Sequence, residues 1–404
     1  MKIHIHRGQN QIGGSIIEIS SDTTRIFFDI GTELDSDNIE KQIPDIEGLF
    51  VGEKNCDAVF ITHYHADHIG LVSNILDGIP VYMGEKGYEI LSTSCRLRSM
   101  DVGFVAEFIE NRKKITVGDI SITPIQCDHS AYDSYMYFVE CNGKSVLYTG
   151  DFRSSGRLDF QDLLAVLPVA DAVICEGTTL SRDDTAKKYV TETELCDIAV
   201  SAMKKHSGPC FVILSASNID RLVTMAEIAK RTKRILCMDL YTALVAKASG
   251  VESIDPEKNR HIRVFMLNKD KSDHDVLVSN FNNSKIGYGS IAKSEFILCV
   301  RSSMIGYVRK LHNLCSFENG LFFYSLWSGY KEQKGMKALL YEVRRYGLYI
   351  HTLHTSGPAD AEAISKVIER TSPKKIIPVH TENAKWFDRY SDVCSVIGEA
   401  ECEV

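Results

Sequence analysis

Apolar positions in the first half of the chain come in short runs separated by turn residues. Beyond about residue 190, short apolar runs alternate with longer stretches of helical period. Residues 15–19 and 24–28 read as paired strands around a Ser21-Asp22 turn, and 57–61 is the continuous apolar run of a buried strand. Further strands are predicted at 120–125, 135–140, 145–148 and 172–175, with a helix at 87–94 among them. In the second half, helices are predicted at 191–205, 221–231 and 242–249, with strands at 210–214 and 234–238 between them. This alternation argues for βαβ units on a parallel sheet. Residues 254–285 are polar and poorly periodic. Strands then return at 296–300, 321–324, 348–352 and 375–379, with helices at 334–345 and 359–369. No internal repeat or Pro/Ser-rich linker interrupts the chain, so the α/β units are expected to pack closely.

Composition narrows the class. Of 404 residues, 44% are hydrophobic and 25% charged, enough apolar mass for a sizeable core and too much for a disordered chain. No apolar run approaches the roughly 20 residues that span a membrane. The N-terminal residues 1–6 read as a strand and not as a signal peptide, so a cytoplasmic location is expected. The net charge of −8 excludes coating nucleic acid through bulk positive charge, although a local basic groove remains compatible with it. Twelve cysteines form no CxxC pair, and several lie inside apolar runs, so they are read as buried free thiols.

The chemistry concentrates in Thr62-His63-Tyr64-His65-Ala66-Asp67-His68, directly after a buried strand. Residues two apart in an extended segment point the same way, so His63 and His65 can hold one ion. A turn at Ala66 lets Asp67 and His68 face a second. His129, Asp151 and His380 each follow a predicted strand and could complete a dinuclear site, with Asp151 available as a shared carboxylate.

This pattern resembles the metallo-β-lactamase superfamily, with Asp29 matching the aspartate that supports the metal loop in that superfamily. Glu176, an α/β insertion of about 160 residues, and His380 in Pro-Val-His-Thr-Glu resemble its β-CASP nuclease branch. The nearest resemblance is to ribonuclease J-like enzymes without their C-terminal domain, and it covers nearly the whole chain. It implies an αββα metallo-β-lactamase sandwich in two pieces, residues 1–185 and 346–404, with a β-CASP domain inserted at 186–345 and the site in the cleft between the domains. It also implies two divalent ions, zinc or alternatively manganese. One would be held by His63, His65 and His129, the other by Asp67, His68 and His380, with Asp151 bridging them. The implied reaction is phosphodiester hydrolysis of RNA, with single-stranded DNA as a further substrate, and a homodimer is an accompanying expectation. Asp67, Glu176 and His354 are expected to be catalytic, and Arg153, Arg221, Ser356 and Gly357 to bind substrate.

One departure stands out. Where the family reads His-x-Ser-Gly-His-Ala, this chain has His354-Thr355-Ser356-Gly357-Pro358-Ala359. Proline cannot transfer the proton of the family's second histidine, so His354 or a water would have to replace it. The alternatives are hydrolysis of a small ester or thioester on the same fold, and a weakened nucleic-acid-binding subunit.

Overall fold

The structure is a computed structural model that describes residues 1–34, 39–180, 189–265 and 281–404. His274 and part of the polar stretch 254–285 lie outside the described residues. By internal packing the chain divides into two compact units, residues 1–189 with 356–404, and residues 190–355.

The chain starts with strands β1 (Lys2–Arg7), β2 (Ile16–Ser20), β3 (Arg25–Ile30), β4 (Ala58–Phe60), β5 (Val81–Gly84) and β6 (Ala106–Ile109). Next come β7 (Ile115–Val117), β8 (Ile120–Cys127), β9 (Ser134–Cys141), β10 (Lys144–Tyr148) and β11 (Ala172–Glu176). The second unit holds β12 (Cys210–Ile213), β13 (Ile235–Asp239), β14 (Ile262–Phe265), β15 (Lys285–Ile286), β16 (Phe296–Val300), β17 (Leu321–Tyr324) and β18 (Tyr349–Thr352). The chain closes with β19 (Lys375–Val379), β20 (Ser395–Val396) and β21 (Glu401–Glu403).

The first unit is a sandwich of two sheets, ordered β21-β1-β2-β3-β4-β5-β6 and β20-β19-β11-β10-β9-β8-β7. Alternation along each strand builds the shared core. Ile3, Ile5, Ile17, Phe28 and Phe60 from one sheet meet Tyr137, Val139, Val146, Ile174 and Val379 from the other. Helices cover both outer faces. Helix Glu85–Leu97 lies against β5 and β6. Helices Phe160–Val166 and Ala361–Thr371 lay Leu163, Ile364 and Val367 over Val173 and Cys175. The unit is thus an αββα sandwich built from both chain ends.

The second unit carries a parallel sheet, ordered β15-β14-β13-β16-β12-β17-β18. Its central strands β12 and β16 are buried along their whole length, as strands covered on both faces must be. Helix Glu192–Met203 starts at a capping box, in which Thr191 Oγ1 accepts the Glu194 N–H and the Glu194 carboxylate takes the Thr191 N–H.

Two boundaries differ from expectation. Strand β18 pairs with β17, so its backbone groups belong to the second unit's sheet and the later junction falls at 355/356, not 345/346. The earlier junction falls at 189/190. None of the twelve cysteines is in a disulfide. No described helix is long and apolar enough to cross a membrane.

Candidate metal centre

The His/Asp-rich segment leaves the first sheet just after β4 and folds into one helical turn, Ala66–Ile69. Asp29, at the end of β3, anchors it from below. Asp29 is fully buried with φ 56°. It accepts the Thr62 N–H at 2.8 Å and the Tyr148 hydroxyl at 2.7 Å, and lies 2.7 Å from His68 Nδ1. Thr62 Oγ1 donates to the same carboxylate at 2.9 Å and sits 3.0 Å from His63 Nδ1. The backbone fit is equally close. A Cβ on Gly31 would fall 1.7 Å from the Asp67 carbonyl oxygen, so only glycine lets this loop lie against the strand end.

Three imidazole nitrogens converge in one group: His63 Nε2, His65 Nδ1 and His129 Nε2, with separations of 3.1 and 3.2 Å through His65. His129 Nδ1 donates to the Gly357 carbonyl at 2.9 Å, so its Nε2 carries a bare lone pair. A second group joins His68, Asp67 and His380, with Asp67 Oδ2 3.2 Å from His380 Nε2. Asp151 stands between the groups. Its Oδ2 is 3.9 Å from His129 Nε2, and its Oδ1 is 3.6 Å from His68 Nε2 and 3.5 Å from His380 Nδ1. His68 Nε2 and Asp151 Oδ1 are both buried without a hydrogen-bond partner. Buried polar atoms are normally satisfied. Orphaned donors that face one another are what a divalent cation requires, and nitrogen with carboxylate oxygen suits zinc.

Charge is distributed to match. Burial, reinforced by the neighbouring imidazoles, pushes His63 and His129 well below the usual histidine range, which leaves them neutral. Burial also opposes charge on His68, but Asp29, Asp151 and Asp67 outweigh it and raise the pKa to about 10. A metal at His68 Nε2 therefore competes with a proton. Burial works to raise Asp67, yet His380, His68 and His65 hold it well below the ordinary carboxylate range.

Two family profiles match the chain. One, the beta-lactamase superfamily domain, covers residues 24–207, and the other, the Zn-dependent metallo-hydrolase RNA specificity domain, covers 343–391. Ribonuclease J of Mycoplasma genitalium is 22% identical over 94% of this chain and 68% of its own length. Ribonuclease J of Mycoplasma pneumoniae is 24% identical over the same shares. The chain is ribonuclease J-like and carries a metallo-β-lactamase domain in its first half. A protein of unknown function from Enterococcus faecalis shares the fold over 100% of this chain and 99% of its own, with TM-score 0.79 at 20% identity.

Several residues of this ribonuclease J-like chain do other work than the sequence suggests. The sequence reading makes Glu176 catalytic. In the structure it is a buried hub: its carboxylate accepts the Phe152 N–H at 2.9 Å, the Ala359 N–H at 3.2 Å and the Thr178 hydroxyl at 2.7 Å. Thr178 Oγ1 in turn lies 2.8 Å from His380 Nδ1. Glu176 therefore positions His380 through Thr178, with the Nδ1–H on the hydroxyl and Nε2 turned to Asp67. Burial and Asp151 push the Glu176 carboxyl up to about 7 against the donors it accepts.

Arg153 and Arg221 are expected to meet substrate, and both are 1% exposed. Arg153 is ion-paired to Asp128. Arg221 reaches both Glu192 oxygens at 2.9–3.2 Å, the Leu353 carbonyl at 2.8 Å, and the Ser325 hydroxyl. A buried guanidinium with a buried carboxylate is a structural pair. Gly357, expected at a phosphate, supplies the carbonyl that orients His129, and Ser356 beside it is 3% exposed. The following helix begins at Ala361, not at 359, and Asp360 caps it by accepting the Ala363 N–H at 2.8 Å. With the Ala359 N–H held by Glu176, these donors are engaged within the protein. His354 is exposed, on the last segment of the second unit. Thr62, Thr178 and Tyr148 are the supporting residues that the sequence reading misses.

Proposed function

We propose that this chain is a metal-dependent nuclease that hydrolyses RNA phosphodiesters with two divalent ions. The observation that carries the reading is Asp151, whose two oxygens face two separate ligand groups and whose Oδ1, like His68 Nε2, is buried without a hydrogen-bond partner. The RNA specificity domain profile and the ribonuclease J relatives, matched over 94% of the chain, support RNA as substrate.

In this reading His63, His65 and His129 hold one ion, Asp67, His68 and His380 the other, and Asp151 is shared. Two ions so held supply Lewis acidity and an activated water near neutral pH. The protein's contribution is to fix the donors. Asp29 orients His68, Gly357 orients His129, and the Glu176–Thr178 pair orients His380. The experiment is digestion of end-labelled RNA and single-stranded DNA with Zn²⁺ or Mn²⁺ by the wild type and Asp151→Ala. Cleavage of RNA by the wild type alone supports the reading. A fully active variant, or a metal-loaded wild type that leaves RNA intact, overturns it.

A further inference from the structure

The outer face of the first sheet carries a second group of ligating side chains. Ile3 and Ile5 point into the sandwich core, so His4 and His6 share the opposite face of β1. His4 stands directly across from Glu18 on β2 and from Glu401 on β21. The register shifts between Ile5 and Arg7, a bulge at His6. Bulges re-aim side chains, and His6 Nε2 lies 2.8 Å from Glu18 Oε2. On the other side His4 Nδ1 lies 3.6 Å from Glu401 Oε1, and the two imidazoles stack with centroids 3.8 Å apart.

These distances suit one ion. Donors bound to tetrahedral zinc at about 2.0–2.2 Å stand about 3.3–3.6 Å apart. The 3.6 Å His4–Glu401 contact lies at the upper edge of that range, and the 2.8 Å His6–Glu18 contact is a hydrogen bond that an ion would replace. Ligand atoms of His4, His6 and Glu18 all lie within 4.8 Å of one another, as do those of the groups around Asp151. Charge agrees. Glu18 and Glu401 bring two negative charges and Arg25, 2.7 Å from Glu18 Oε2, one positive, leaving a net negative charge beside two imidazoles. His6 and Arg25 both reach Oε2, so the carboxylate can present Oε1 to an ion.

We propose that His4, His6, Glu18 and Glu401 form a separate transition-metal site of the zinc class, which staples β1 to both of its neighbours, β2 and β21. None of these side chains belongs to the centre around Asp151, and the proposal stands whether or not the chain cleaves RNA. The test is zinc per chain, measured by elemental mass spectrometry on the full chain equilibrated with buffered zinc. His6→Ala should hold one zinc fewer than the wild type, and Asp151→Ala/His6→Ala one fewer than Asp151→Ala. Zinc at about one hundred times Kd should shift the folding equilibrium of Asp151→Ala about 100-fold through this site, and leave the double variant without that shift. Glu401→Gln, at a side chain 76% exposed, tests the same site with little risk to folding and should weaken zinc retention. Equal zinc content and equal zinc-dependent stabilisation with and without His6 would overturn the proposal.

Discussion

Replacing Arg221 by alanine distinguishes a cation that holds the second unit together from one that grips a phosphate. Arg221 and Glu192 are 1% and 0% exposed, and the guanidinium also serves the Leu353 carbonyl at 2.8 Å. Alanine leaves the Glu192 carboxylate buried with its cation gone. Breaking a buried pair in this way costs about 3–5 kcal/mol. For a unit the size of residues 190–355, each kcal/mol is about 2–4 °C, so its melting temperature should fall by roughly 6–20 °C. Circular dichroism melts of the full chain would record the change as an earlier transition. Arg221→Met with Glu192→Gln should recover much of the loss, because no buried charge is left unpaired. Below the transition, RNA affinity and its salt dependence should match the wild type. A variant that melts normally but loses about one counterion from its salt slope would refute the structural role and restore a phosphate contact.

Three further outcomes are expected. Thr178→Val keeps the shape but removes the hydroxyl between Glu176 and His380, so metal affinity measured by competition with a chelator should fall about 10–100-fold. Gly31→Ala should displace the Asp67 loop and lower metal content, since its Cβ would overlap the Asp67 carbonyl; unchanged metal content would contradict the packing described. Burial alone would raise the Glu18 carboxyl, but His6 and Arg25 hold it at about 2, below its ordinary 4.5. Its stabilisation is therefore complete above about pH 4.5 and lost as pH falls toward 2, and Glu18→Gln should flatten the acid limb of a pH–stability curve over that window.

Local patterns were legible from the chain, and tertiary partnerships were not. His63, His65, Asp67 and His68 stand out because the proposed ligands of each ion, His63 with His65 and Asp67 with His68, are near neighbours in sequence. His129, Asp151 and His380 could be found because each lies within three residues of the end of a strand. Strands β16, β17 and β19 and the helix Lys334–Arg345 fall where their apolar periodicity puts them. Strands β6 and β7 escape notice because they are short and half-exposed, without an apolar run to mark them. Strand β14 is hidden in a polar stretch. Thr62, Thr178 and Tyr148 give no signal, since a hydroxyl acquires its role only from the carboxylate that folds against it. Arg153 and Arg221 look like phosphate ligands for the same reason, because Asp128 and Glu192 are distant in sequence and close only in the fold.

The account rests on two ions sharing Asp151, and anomalous diffraction at the zinc edge from crystals grown with zinc tests it most directly. The account predicts two peaks about 3.5–4 Å apart, one ligated by His63, His65 and His129, the other by Asp67, His68 and His380, with Asp151 touching both. A single peak in this cluster, or an Asp151 that ligates neither ion, would contradict it.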